Sequence, residues 1–238
     1  MGFRTFFANK IVRWIFKLHV WVDPNLQQIP MEGPVILVGN HVLFLDAPIL
    51  MTHLQPRQVR FIAKVESWKN PLFNYLFQEW GAIPIRRGEA DLGAFQAARK
   101  ALAAGHQLAI APEGTRSGDG CLKKGYPGVV LIAARTQAPL LPVVYYGHEN
   151  YWQNLRRLKR TRFNVRVGTP FTLDTDGRGL DRDLRQKMTD EIMYQLAALM
   201  PPHYRGFYSD LENATENYLR FEPGAVSSLQ QARQSGSG

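Results

Sequence analysis

The chain has 238 residues, is 45% hydrophobic and carries a formal net charge of +9. That length supports one sizeable core, and neither a linker nor an internal repeat divides it. A lone cysteine, Cys121, excludes an internal disulfide framework and suits a reducing compartment, while the basic balance calls for an anionic partner: a phospholipid surface, a phosphorylated substrate or nucleic acid.

Residues 1–22 read as an amphipathic helix. At about 100° per residue, Lys10, Arg13 and Lys17 form one basic stripe and Phe3, Phe7, Ile11, Trp14, Leu18 and Trp21 the adjacent apolar face. The cations break every apolar run well short of the roughly 20 residues of a spanning helix, and no small-residue cleavage site follows. The pattern therefore predicts a helix lying in a membrane interface. A helix packed on the core with its basic edge in water is the plainer alternative.

After the break at Asp23-Pro24-Asn25, Pro34 to Gly39 is a short apolar run of the kind that forms a buried strand. Asn40-His41-Val42-Leu43-Phe44-Leu45-Asp46 follows, and the run from Asp46 through Pro48 to Leu54 has the look of a helix start, with Asp46 as N-cap. His41 then stands at a strand-to-helix corner, where open α/β sheets face a ligand cleft. A histidine there can take a proton from a substrate hydroxyl or thiol if a carboxylate fixes its tautomer, and Asp46 is placed to do so. No Ser or Cys lies in this stretch, which favours direct attack by a substrate hydroxyl over an enzyme-bound nucleophile. Two further metal ligands are not evident nearby. Taken alone, the same pair also suits a histidine capping a carbonyl and an aspartate capping a helix.

Farther along, Val59 to Lys64 is strand-like, Glu66 to Trp80 helical with an interruption near Pro71, Ala82 to Arg86 strand-like, and Ala90 to Ala104 an Ala-rich helix. Gln107 to Ala111, Pro139 to Tyr146 and Phe163 to Val167 read as strands; Gly128 to Thr136 and Asp181 to Met200 read as helices. This alternation predicts an α/β fold: a single domain with a mixed or largely parallel central sheet flanked by helices. The expected division is 1–22 interface helix, 30–200 main domain and 201–238 C-terminal extension, with Gln230 to Gly238 disordered.

Two further stretches follow strands. Gly81 to Gly88 delivers Arg86 and Arg87, and strand alternation sends only one of them into the cleft. Ala111-Pro112-Glu113-Gly114-Thr115-Arg116-Ser117, with Lys123 and Lys124 after it, combines small residues that let main-chain N–H groups approach an anion with the charges of Arg116 and Lys124. Its spacing is not that of a P-loop. Each stretch alone also fits a solvated surface turn. Tyr151 to Arg166 carries six cations and no acid near Tyr151 and Trp152, suiting either a membrane patch or a charged strand edge.

The three stretches, in this order and with Leu141-Pro142-Val143 after them, resemble the glycerolipid acyltransferase family. The resemblance covers roughly residues 34 to 146. It implies His41 as general base on a glycerol hydroxyl, Asp46 as its partner, and Asn40, Arg87, Glu113, Gly114, Thr115, Arg116 and Lys124 as substrate-binding residues. It further implies a lysophospholipid acceptor such as 1-acyl-glycerol 3-phosphate and an acyl-CoA or acyl-carrier-protein donor, with no metal or other cofactor. A peripheral or monotopic place on the cytoplasmic face of a membrane follows from it, and nucleic acid is not an expected partner. Arg86 stands where the family often has Asp, which adds charge to the acceptor pocket. A membrane-binding scaffold with a dead site and a nucleic-acid binder are the rival classes. The intact His41 and Asp46 speak against the first, and the lack of a recognisable reading motif speaks against the second.

Overall fold

The computed structural model describes residues 3–86, 91–175 and 177–235. In chain order its elements are α1 (Phe3–His19), β1 (Val20–Val22), β2 (Val35–Gly39), α2 (Asp46–His53), β3 (Val59–Lys64), α3 (Pro71–Trp80), β4 (Ile83–Ile85), α4 (Leu92–Ala103) and β5 (Gln107–Ile110). They continue with α5 (Gly128–Thr136), β6 (Leu140–Tyr146), α6 (Tyr151–Arg156), β7 (Thr161–Val167), β8 (Phe171–Leu173), α7 (Arg182–Leu199), β9 (Leu219–Phe221) and α8 (Ser228–Ser235).

The sheet runs β1-β7-β6-β2-β5-β3-β4, with β8 and β9 added beside β6. β6, β2, β5, β3 and β4 are mutually parallel, with Ile36 opposite Leu108 and Leu37 opposite Leu141, whereas β7 runs antiparallel to β6. Alternation along the central strands sorts their side chains between two cores. Ile36, Val38, Leu140 and Val144 meet α4, α5, α7 and α8 on one face; Val35, Leu37, Leu141 and Val143 meet α1, α2 and α3 on the other. The mixed, largely parallel sheet between helical layers is as expected.

Three local expectations are revised. The first helix stops at His19, and Val20 to Val22 pair in parallel with Thr161 to Phe163, since the β-branched Val20 buries better as an edge strand than as another helical turn. Residues 151–156, read as part of a basic run, form α6. Gln230 to Ser235 belongs to α8, and Leu229 at its start is fully buried in the core; Tyr208, Leu211 and Leu219 join the same core, so the chain after Met200 is built into the fold. Residues 236–238, also expected to be disordered, lie outside the described residues.

The parallel strands all send their carboxyl ends to one edge. The segments that follow β2, β4, β5 and β6 therefore meet there, at the position where open α/β sheets hold ligands.

Candidate active site

The site begins at the end of β2. A side chain on Gly39 would place its Cβ 2.6 Å from the Val143 carbonyl, so only glycine lets β6 come this close. The next residue, Asn40, is buried and bonds both main-chain groups of Tyr145: its amide donates to the carbonyl at 2.8 Å and its oxygen accepts the N–H at 2.8 Å. These two bonds join the ends of β2 and β6, a structural role the sequence did not show, and Asn40 also lines the cavity described below.

His41 follows, part-exposed, with Nδ1 2.6 Å from Asp46 Oδ2. The same oxygen accepts the N–H groups of Val42 at 2.8 Å and Leu43 at 3.2 Å. Asp46 is the first residue of α2, but Leu45 occupies the N-cap position and no side-chain cap forms. The expected capping role is corrected: the carboxylate turns back to organise the loop that carries His41. With Nδ1 committed to Asp46, Nε2 is the ring nitrogen left to act, and it has no partner among the described residues.

Asp46 has a second imidazole that sequence reasoning missed. His148, fully buried just beyond β6, brings Nε2 within 2.7 Å of Asp46 Oδ1. Burial pushes the Asp46 carboxyl upward, but hydrogen bonds from His148 and His41 outweigh it and hold the group at about 2. The signal was available: a histidine just past the carboxyl end of a strand, as His41 is.

The turn after β5 supports His41 from the other side. Gly114 adopts φ +63°, which lets the chain reverse so that the Ser117 N–H reaches the His41 carbonyl at 2.7 Å and the Gly118 N–H reaches Val42 at 3.2 Å. Glu113 is buried, and its two oxygens accept the main-chain N–H groups of His41 and Lys123, each at 2.9 Å. Burial pushes its carboxyl up to about 7 against those two bonds. Glu113 therefore braces the loop through both carboxylate oxygens, and it also lines the cavity beside His41.

These segments border a cavity of about 1700 Å³. One part is apolar, lined by Phe44, Leu50, Met51, Phe61, Phe77 and Trp80. The lining also includes Lys64, Lys69, Arg86, Arg99, Arg116 and Arg135, the carboxylates of Asp46, Glu66, Asp91 and Glu113, and Gly114 and Thr115. His41 lines the same cavity. Arg87 lies outside the described residues. Lys124 does not line the cavity; its ammonium sits 6.0 Å from the centre of the exposed Phe207 ring, so its expected place in the pocket is corrected. The basic run after Tyr151 is in part structural: Arg160 bonds the carbonyls of Lys17 and Val20, and Arg166 bonds that of Leu199.

The arrangement holds a ring nitrogen, oriented by a buried carboxylate, at the wall of a chamber whose lining combines apolar side chains with an excess of cations. It is suited to taking a proton from a hydroxyl on an amphiphilic, anionic substrate.

Comparison with known proteins agrees. The 1-acyl-sn-glycerol-3-phosphate acyltransferase of Bacillus subtilis is 26% identical over 147 residues, 61% of this chain and 71% of that protein. The protein of the same name from Borreliella burgdorferi is 26% identical over 145 residues, 60% and 57% of the two chains. An N-acylphosphatidylethanolamine synthase of Arabidopsis thaliana is 31% identical over 174 residues, 63% and 60%. The alignments span between 35% and 71% of the length of such curated relatives. The crystal structure of the 1-acyl-sn-glycerophosphate acyltransferase PlsC from Thermotoga maritima superposes with a TM-score of 0.54 over 80% of this chain and 82% of that one; at 24% identity the likeness is one of fold. A family model described as Acyltransferase matches residues 22–146, more than half of the chain, and this stretch contains His41, Asp46 and the Glu113 turn. The chain belongs to the Acyltransferase family.

Proposed function

We propose that the protein moves a fatty acyl group from an acyl thioester, of coenzyme A or acyl-carrier protein, to the free hydroxyl of 1-acyl-glycerol 3-phosphate, forming phosphatidic acid for phospholipid biosynthesis. The observation that carries this reading is the His41–Asp46 contact of 2.6 Å at the wall of a cavity that joins apolar and cationic surface. No serine hydroxyl or cysteine thiol bonds the His41 ring among the described residues, which favours attack by the acceptor itself.

In this mechanism His41 Nε2 takes the proton of the acceptor hydroxyl as its oxygen attacks the thioester carbonyl. The tetrahedral intermediate collapses, the C–S bond breaks, and the imidazolium returns its proton to the departing thiolate. Base, nucleophile and leaving group are all supplied by His41 and the two substrates, so the chemistry calls for no metal or redox cofactor. General-base assistance supplies about 10²- to 10⁴-fold, and alignment of two bound substrates adds to it. The apolar wall takes the acyl chains. Arg116 and Arg86, with Arg87 by family resemblance, take the phosphate, for which a planar guanidinium offers two parallel hydrogen bonds.

The acceptor is a lipid, and the same reading puts the protein on a membrane as a peripheral or monotopic enzyme at the cytoplasmic face. Support comes from α1, whose Ile11, Trp14, Ile15 and Leu18 are exposed on one stripe beside Lys10, Arg13 and Lys17. No described helix is long and apolar enough to cross a membrane.

The test is product analysis by mass spectrometry with purified protein, acyl-CoA or acyl-carrier protein, and a panel of lysophospholipids that includes lysophosphatidic acid. Phosphatidic acid made by wild type and not by His41→Ala supports the reading. A higher kcat/KM on another lysolipid would change the acceptor, and absence of thioester-dependent acylation of every acceptor would overturn the function.

A further inference from the structure

His148 takes no part in the acyl-transfer chemistry just described, and it lies past the end of the stretch shared with the family model. Yet it is fully buried and touches the catalytic pair. Its Nε2 is 2.7 Å from Asp46 Oδ1, while His41 Nδ1 is 2.6 Å from Oδ2 of the same carboxylate. The ring lies tilted against Phe163 with 4.5 Å between centroids, and the His148 carbonyl accepts the Tyr151 N–H at the start of α6.

These contacts assign its protonation state. An ionised carboxylate can only accept, so the nitrogen that faces it carries the hydrogen. The other nitrogen, Nδ1, is buried with no partner. In a neutral ring Nδ1 holds only a lone pair, whereas a cationic ring would bury a second N–H there with nothing to receive it, at much greater cost.

We propose that His148 is a neutral positioning residue, whose single Nε2–H donor fixes the Asp46 carboxylate and through it the orientation and basicity of His41. This rests on the acyl-transfer role of His41 and Asp46 proposed above. Without His148, Oδ1 of Asp46 would be buried without a donor, leaving the carboxylate more basic toward His41 and less firmly oriented. A cation in its place would compete with the His41 imidazolium for Asp46. A neutral donor avoids both. The other titratable groups that face Asp46 are Glu113 and Tyr145, and neither hydrogen-bonds it.

Histidine ¹⁵N NMR of the wild-type protein at neutral pH tests the state directly: the expected signature is a protonated Nε2 and a bare Nδ1 on His148, and a cationic ring would overturn the proposal. Two substitutions test the role. His148→Gln keeps an N–H donor the same number of bonds from Cα, and His148→Leu removes it. For His148→Leu, kcat is expected to fall about 10- to 100-fold with both KM values within about twofold. The acidic limb of its pH–rate profile should move up by about one unit, because a carboxylate with one donor fewer holds the proton on His41 more firmly. His148→Gln should restore kcat to within about threefold of wild type and return the limb. Wild-type kinetics in His148→Leu would overturn the proposal, as would losses in both variants that follow the folded fraction, measured by circular dichroism, with an unmoved limb. A wild type without acyl transfer would defeat the function itself, while the NMR arm would still judge the assigned state.

Discussion

The Glu113 carboxylate accepts the main-chain N–H of His41 at 2.9 Å, joining residues 72 positions apart in the chain. Burial raises this carboxyl from 4.5 to about 7, so between those values the folded protein holds a proton that the unfolded chain has lost. Its contribution to stability therefore falls as pH rises through that window, by up to about 3 kcal/mol. Asp46 acts in the opposite sense and elsewhere: lowered from 3.8 to about 2, it contributes stability above 3.8 that is lost as pH falls through 2. Thermal unfolding should thus show a melting temperature that declines from pH 5 to pH 8. Glu113→Gln should melt lower at pH 5, because its amide faces one N–H with another, yet show little slope across the same range. An equal slope in wild type and variant would remove Glu113 as its source.

The two members of the proposed catalytic pair, His41 and Asp46, should not be equivalent. His41→Ala is expected to cost at least about 10³-fold in kcat, since no other group in reach of the acceptor hydroxyl replaces the ring. Asp46→Asn keeps an oxygen for His41 Nδ1 and the Val42 N–H but loses the charge, and should cost about 10²-fold while leaving more activity than His41→Ala. Single-turnover assays on protein of wild-type melting temperature distinguish these from folding losses. Near-normal turnover in His41→Ala would sink the mechanism.

Local pattern located the central strands, the helices α2, α4, α5 and α7 and the His41–Asp46 corner because those signals are written in a few consecutive residues. What Asn40 and Glu113 do was not legible there. Asn40 adjoins His41 in the sequence and Glu113 lies 72 residues from it, and only the arrival of Tyr145 from β6 and of the Glu113 turn from β5 shows that each holds main-chain groups in place. For His148 the place just past a strand end was visible, but its partner, 102 residues away, was not. The strand at Val20 to Val22 was missed because three residues carry no period; pairing with β7 decides their conformation.

Asn40→Ala supplies a stability test of that reading. It strands the N–H and the carbonyl of Tyr145 in a buried position, for about 2 to 4 kcal/mol of destabilisation and a melting temperature lower by roughly 5 to 15 °C. A substrate-binding role would instead raise a KM and leave melting unchanged.

The cations of the site should separate into those that see substrate and those that do not. Arg116→Ala, at the cavity wall, should raise the KM for a phosphorylated acceptor by about one to two decades with little effect on the donor. Lys124→Ala, over Phe207 and away from the cavity, should leave both constants within about twofold. Arg86→Ala and Arg87→Ala, measured side by side, show which of the two guanidinium groups meets the phosphate. Equal effects on donor and acceptor for all of them would move the phosphate site elsewhere.

The first helix makes a double use of its faces, and that decides how its membrane role can be tested. Phe16 is buried in the core and Asn9 accepts the Trp80 indole N–H at 2.7 Å, so one side of α1 is fastened to α2 and α3. The other side leaves Trp14 64% and Leu18 52% exposed. Deleting residues 1–22 would strip both faces along with the β1 pairing, lowering stability whether or not the helix meets lipid. Point changes separate the two. Trp14→Asp with Leu18→Asp should weaken sedimentation with anionic liposomes by at least about tenfold and slow turnover of long-chain acceptors, with melting unchanged and a soluble short-chain acceptor spared. Phe16→Ala should lower the melting temperature and leave liposome affinity of the folded protein intact. Salt should weaken wild-type binding without abolishing it, because Lys10, Arg13 and Lys17 act through a screened potential while the apolar stripe does not. Unchanged liposome binding in the double aspartate variant would defeat the membrane role of this face.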